Sequence, residues 1–165
     1  MPFVLVRVDD RMIHGQVVVG WGNAIHPDKI ILCHDEISAS PWEKDLYEGS
    51  FSGYDCEIHV FSSSELNDYC ESDSFSKDKT ILITETPKDV LSIYESGIHF
   101  EKLNIGGLHY KESKKELNNY IYLDSEDVQC ITKLQEYGVE IKGQDVPTAK
   151  KVNISELMKK KLFAF

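Results

Sequence analysis

Short runs of β-branched and apolar residues recur along this chain, each followed by a segment with helical spacing, and that alternation restricts the fold more than any other feature. Phe3 to Val8 is the first run and ends in the polar Asp9-Asp10-Arg11. Asp28 to Leu32, Cys56 to Phe61, Thr80 to Thr84, Leu103 to Ile105, Tyr120 to Leu123 and Val139 to Ile141 are the others. After Gly15, Val18, Trp21 and Ile25 recur at helical spacing, which predicts a helix of about three turns with Trp21 in the core stripe. Ser40-Pro41-Trp42-Glu43 supplies an N-cap, a first-turn proline and a capping-box acid, so a second helix is expected to run to about Gly49. Thr86-Pro87-Lys88-Asp89 repeats that signature, with Gly97 as the residue after the helix. Ser125 to Tyr137 is amphipathic and ends at Gly138. Asn153 and Glu156 predict a capped closing helix with Ile154, Leu157, Met158 and Leu162 on one face. The Ser- and Asp-rich stretch 62–79 predicts one short helix near Leu66 to Cys70 and otherwise loop.

This order implies an α/β fold: a mostly parallel sheet with helices on both faces and right-handed crossovers. No repeat or linker divides the 165 residues, so a single domain over 1–165 is expected. In such sheets ligands collect beyond the carboxyl ends of the strands. That rule selects the loops after Phe3–Val8, Thr80–Thr84 and Leu103–Ile105. They carry Asp9-Asp10-Arg11 with His14, Thr84-Glu85-Thr86, and Gly106-Gly107.

Composition removes several function classes. With 18 basic against 28 acidic residues the net charge is −10, which argues against nucleic acid or an anionic membrane surface as a partner. The lysines at 150–151 and 159–161 read as solvated helix face. Cys33, Cys56, Cys70 and Cys130 are widely spaced and lack the pattern of a zinc site, so neither metal nor cofactor is expected. No apolar run approaches the ~20 residues of a membrane span, and the chain opens without a signal-peptide pattern, so a cytoplasmic location is expected. No dinucleotide or Walker glycine motif follows the first strand.

His14 stands at a strand-to-helix junction, where unpaired backbone N–H groups and the positive helix end favour an added anion. Arg11 can pair with phosphate oxygens through its planar fork, and an imidazole is nucleophilic near neutral pH. Spacing alone leaves open that His14 is an ordinary loop histidine. The whole string Asp9-Asp10-Arg11-Met12-Ile13-His14-Gly15-Gln16-Val17 resembles the phosphorylation-site signature of the IIB subunits of the mannose/fructose/sorbose family of sugar phosphotransferase systems. Leu103-Asn104-Ile105-Gly106-Gly107-Leu108-His109 resembles the second recurring segment of that family, and Asp145-Val146-Pro147 its C-terminal close. The likeness covers nearly the whole chain, and residues 53–79 fit it least.

The resemblance implies a sorbose-type IIB fold and a phosphohistidine–sugar phosphotransferase role. His14 would take phosphate on Nδ1 from a IIA domain and pass it to a sugar held by membrane IIC and IID subunits, with the protein peripherally associated with that permease. The alternative is a regulatory phosphocarrier not coupled to sugar transport. Arg11 is expected to stabilise the transferring group. Asp9 and Asp10 are expected to orient His14, and Gly15 and Thr84 to support the phosphate site. Gly106 and Gly107 have two readings, as phosphate-binding N–H groups or as a tight turn with positive φ. His109 either approaches the site or decorates a surface hairpin. A homodimer through exposed apolar faces stays open.

Overall fold

The computed structural model describes residues 3–51 and 53–161; Leu162, assigned above to the closing helix, lies outside them. Seven strands form one sheet in the order β3-β2-β4-β1-β5-β8-β9. They are β1 (Phe3–Asp9), β2 (Lys29–Cys33), β3 (Glu57–Phe61), β4 (Thr80–Thr84), β5 (Lys102–Gly107), β8 (Glu140–Gly143) and β9 (Val152–Asn153). All neighbours pair in parallel except β8 and β9. A separate antiparallel hairpin joins β6 (Lys115–Asn118) to β7 (Ile121–Leu123). The expected parallel α/β architecture is therefore present. The final strand was expected at Val139 to Ile141, yet β9 follows it, because two residues are too short to show a period.

Strand alternation divides the core between two faces. Ile31, Leu82, Leu103 and Ile105 point to one side, where they meet α4 (Ser63–Cys70), α6 (Pro87–Glu95), α7 (Ser125–Glu136) and α8 (Ile154–Lys160). Ile30, Leu32, Ile81 and Ile83 point to the other side, covered by a π-helical segment Gln16–Trp21, α1 (Gly22–Ile25), α2 (Asp35–Ser38) and α3 (Pro41–Gly49). On this second face the fully buried apolar residues of the sheet end at β4, with the partly buried Leu5 of β1 packed against their edge. Beyond it, the residues of β1 and β5 alternating with the apolar set are Arg7, Asp9 and Asn104, all buried. The sheet thus has a buried polar half on one face.

The helix starts follow local capping chemistry. Thr86 accepts from the Asp89 N–H at 3.2 Å and Asn153 from the Glu156 N–H at 3.0 Å, as the sequence predicts. Helix α3 also begins at Pro41, but the Ser40 side chain makes no cap bond, so the expected capping box is not formed there. A true one stands at Ser62 and Glu65, which start α4, and a further short helix α5 (Asp73–Lys77) follows in the stretch read as loop. Gly97 and Gly138 both take the left-handed conformation after their helices. No helix among the described residues is long and apolar enough to cross a membrane.

Candidate functional site

Strand β1 lies between β4 and β5, so the chain leaves it toward one side of the sheet and returns on the other. The crevice outside its carboxyl end is the switch point of the sheet. The loop there is pinned at three places. Met12 N–H donates to the Asp9 carbonyl at 2.9 Å, Asp10 N–H to the Gly107 carbonyl at 2.9 Å, and Ile13 is buried in the second-face core. Met12 sits at φ 62°, a left-handed conformation that costs a side-chain-bearing residue ~1 kcal/mol and marks a tightly determined loop. The His14 carbonyl then receives the N–H groups of both Val17 and Val18 at 3.1 Å and opens the helix. Its first six residues are π-helical rather than α-helical, a form concentrated at functional sites.

Asp9 is the hub. Its fully buried carboxylate accepts from Arg7 Nη2 at 3.1 Å, from Arg11 Nε and Nη2 at 3.1 Å each, and from the Arg11 backbone N–H at 3.0 Å. His14 Nε2 lies 3.3 Å from Asp9 Oδ2. Burial by itself raises the Asp9 pKa, but the hydrogen bonds from His14 and Arg11 and the Arg7 charge outweigh it and hold the group below the usual carboxylate range. An ionised carboxylate only accepts, so Nε2 carries the hydrogen. In the neutral ring Nδ1 then keeps the lone pair.

Arg11 is 30% exposed and also reaches Gln16 Oε1 at 2.7 Å and Asp145 Oδ1 at 3.3 Å. One of its five N–H groups, on Nη1, is left uncommitted among the described residues. Burial lowers its pKa, but Asp9 and Asp145 more than compensate, so it is raised above the ordinary value and the group stays charged.

Behind this pair lies Arg7, which the sequence reading did not single out. It is fully buried and donates to Asn104 Oδ1 at 2.5 Å, to the Gln144 carbonyl at 2.8 Å and to the Asp145 carbonyl at 2.8 Å, besides Asp9. Burial lowers its pKa, with Asp9 opposing. The available signal was a lone charge inside the apolar run Phe3 to Val8. Gln16 and Asp145, which also meet Arg11, carry no signal of their own in the sequence beyond the motifs that contain them.

The remaining candidates fall into place around this hub. Gly15 begins the helix after His14, with αR geometry. Gly106 and Gly107 end β5, and neither has positive φ, so the tight-turn reading is corrected. The register slips there: Val8 faces Ile105 and Asp9 faces Gly107, which makes Gly106 the bulged residue, packed against the Arg7 guanidinium. Asp10 is taken up by His109, whose N–H and Nδ1 lie 2.7 and 2.5 Å from its oxygens, instead of orienting His14. Thr84 is buried, and its hydroxyl donates to the Thr86 carbonyl at 3.4 Å; among the described residues no hydrogen bond links it to His14 or Arg11.

Residues 3–164 match the sorbose subfamily IIB component of the phosphotransferase system (PTS). A sorbose-specific EIIB component from Klebsiella pneumoniae is 27% identical over 163 residues, with 99% of each chain covered. The crystal structure of the IIBSor domain of the sorbose permease from the same organism superimposes with a TM-score of 0.91 at 27% identity, covering 99% of this chain and 100% of that one. The mannose-specific EIIAB component of Escherichia coli K12 is 28% identical over 160 residues, which are 97% of this chain but 49% of that protein, so the chain spans about half the length of those mannose relatives. The fold, the switch-point crevice and the match along the chain together establish that this protein belongs to the sorbose subfamily of PTS IIB components.

Proposed function

We propose that residues 1–165 act as one phosphocarrier domain in which His14 accepts a phosphoryl group on Nδ1 from a phosphohistidine of a IIA domain and hands it to a sugar of the mannose/fructose/sorbose class held by membrane IIC and IID subunits. The single observation that carries this reading is the 3.3 Å approach of Asp9 to Nε2, which fixes the tautomer and leaves the Nδ1 lone pair for phosphorus. In the first step Nδ1 forms the N–P bond while the donor's N–P bond breaks and its electron pair returns to the donor imidazole. Asp9 then stabilises the phosphoimidazole through Nε2–H.

Charge on the three peripheral oxygens needs donors that are already in place. Arg11 supplies its uncommitted Nη1–H, and the first-turn N–H groups at Gly15 and Gln16 supply others. Gly106 and Gly107 act here through their lack of a side chain, by admitting the two arginines. Arg7 is a positioning residue that acts through Asp9. Thr84 supports the loop from the neighbouring strand. The location that fits this role is the cytoplasmic side of a permease.

Intact-protein mass spectrometry after incubation with phosphoenolpyruvate, enzyme I, HPr and a IIA domain of this family tests the first step. One acid-labile phosphoryl group on the wild type and none on His14→Ala is expected. Label that persists in His14→Ala would place the site elsewhere. Loss of label to sugar only when IIC/IID membranes are added separates transport from a regulatory carrier.

A further inference from the structure

Helix α3 turns its sides against the usual rule for a surface helix, which buries the apolar stripe. Trp42 and Leu46, four residues apart and so on one face, are 73% and 53% exposed. The polar residues look inward instead. Glu48 Oε1 accepts the Val60 N–H at 3.0 Å, covering an open donor of the edge strand β3, and Lys44 lies 4.0 Å from Glu65. Among the described residues of α3, Tyr47 alone packs against the second-face core. The outward face is therefore apolar without serving the fold, and a solvent-facing tryptophan with a leucine one turn away is the composition of an interface anchor.

The patch stands at the phosphoryl-transfer end of the sheet. Strand β2 ends at Cys33, and α2 and α3 carry the chain back to the start of the parallel strand β3, so Trp42 lies near the carboxyl ends and Leu46 one turn below. Between β3 and β1 there are three strand spacings, about 14 Å. A standard interface of about 800 Å2 per partner is about 30 Å across, so one partner over His14 also covers Trp42.

Charge says which partner. Asp35, Glu36, Glu43, Asp45 and Glu48 crowd this segment against the single Lys44, which is already turned to Glu65. None of the five acids forms an ion pair among the described residues. Self-pairing of α3 about a two-fold axis would set Asp45 toward its own copy and join two chains of net charge −10, and an anionic lipid surface is repelled in the same way. Cytoplasmic loops of membrane proteins, in contrast, carry an excess of Lys and Arg. We propose that Trp42 and Leu46, with their acidic rim, are the surface by which this chain docks on the basic cytoplasmic face of the IIC/IID membrane subunits. The choice of that partner rests on the phosphocarrier reading; the inverted helix and its charge do not.

The test uses inside-out membrane vesicles carrying IIC and IID subunits of this family, with vesicles lacking them as the blank. Co-sedimentation, phosphorylation by phospho-IIA and transfer to sugar are measured on each variant. Trp42→Ala/Leu46→Ala is expected to take phosphate from IIA at the wild-type rate but to bind the vesicles at least about tenfold more weakly, raising the KM for the phosphoprotein in transfer with kcat unchanged. Asp45→Lys, which removes no apolar contact, is expected to weaken binding about threefold or more and to flatten its salt dependence. Undiminished vesicle binding by the double variant overturns the proposal, as does wild-type binding no stronger than to the blank. An equal fall in phosphorylation by IIA overturns it by giving the patch to the donor, and a wild-type dimer that the double variant abolishes overturns it by giving the patch to a second copy. A wild type that binds the vesicles through Trp42 yet takes no phosphate leaves the docking surface standing and sinks the phosphocarrier reading.

Discussion

Arg7 fills the place where a side chain at position 106 would stand: a Cβ on Gly106 would lie 1.9 Å from the guanidinium carbon. The guanidinium cannot retreat, since its bonds to Asn104, Gln144, Asp145 and Asp9 hold it from several directions. Gly106→Ala is expected to cost about 3 kcal/mol by overpacking and by displacing a buried cation from its partners. Gly107→Ala meets the Arg11 guanidinium at 3.3 Å and Asp9 Oδ1 at 3.4 Å, contacts that need a shift of only a few tenths of an ångström, and is expected to cost less. Urea unfolding of the two variants side by side measures the difference; equal losses would mean that Arg7 moves aside.

The depressed Asp9 pKa has a consequence for acid stability. A carboxylate whose pKa is lower folded than unfolded adds stability that is fully present above the unfolded value, about 4, and is lost as pH falls through the folded one. The wild type is therefore expected to weaken from about pH 5 downward more steeply than Asp9→Asn. At pH 7 the same variant is expected to be less stable by about 3 kcal/mol, because Arg7 stays buried without its anion. Phosphorylation of His14 in it is expected to slow at least about tenfold, as the ring loses its fixed tautomer. Chemical unfolding at several pH values gives the comparison, and parallel pH curves would remove Asp9 from the acid limb.

Lys114 and Asp127 form an ion pair of 3.0 Å with each side chain 8% exposed, tying the segment before β6 to the start of α7. Burial raises the Asp127 pKa despite its bond from the Asp124 N–H and the Lys114 charge. Lys114→Met leaves that carboxylate buried with only the cap bond, so a loss of about 3 kcal/mol at pH 7 is expected. The loss is expected to shrink as pH falls and Asp127 takes up a proton, because burial raises its pKa. Melting curves at pH 7 and at lower pH check it.

Burial pushes the Cys33 thiol up to about 12 and the Cys70 thiol up to about 11. Alkylation needs the thiolate, so Cys33 is expected to resist iodoacetamide at pH 8 until the protein is unfolded in urea. Peptide mapping after brief labelling would reveal a reactive Cys33 if the packing under β2 were loose.

The elements with period or punctuation were legible in the sequence. Thr86-Pro87 and Asn153 marked real caps, and the strands at 80–84 and 103–105 declared themselves by composition. Short pieces were not: β6, β9, α2 and α5 have two to five residues, too few for a repeat. The π-helical turn was read as α because Val18, Trp21 and Ile25 satisfy the α spacing. Within the site, His14 and Arg11 were visible as a string, while Arg7 and Asp145 meet only because the end of β8 lies beside β1 across β5. Asp10 shows the limit most plainly, since nothing in Asp9-Asp10 says which carboxylate turns inward and which meets His109.

The bonds from Arg7 to the carbonyls of Gln144 and Asp145 span 137 and 138 positions of the chain. A growing chain emerging from the ribosome can form β1 and display its histidine early, but the arginine behind it has no lodging until residue 145 is free. Contacts so distant in sequence are slow to close and come late in folding. The hub that holds the His14 ring is thus complete only once residue 145 is free, and a chain cut short of it carries the histidine without the scaffold that orients it.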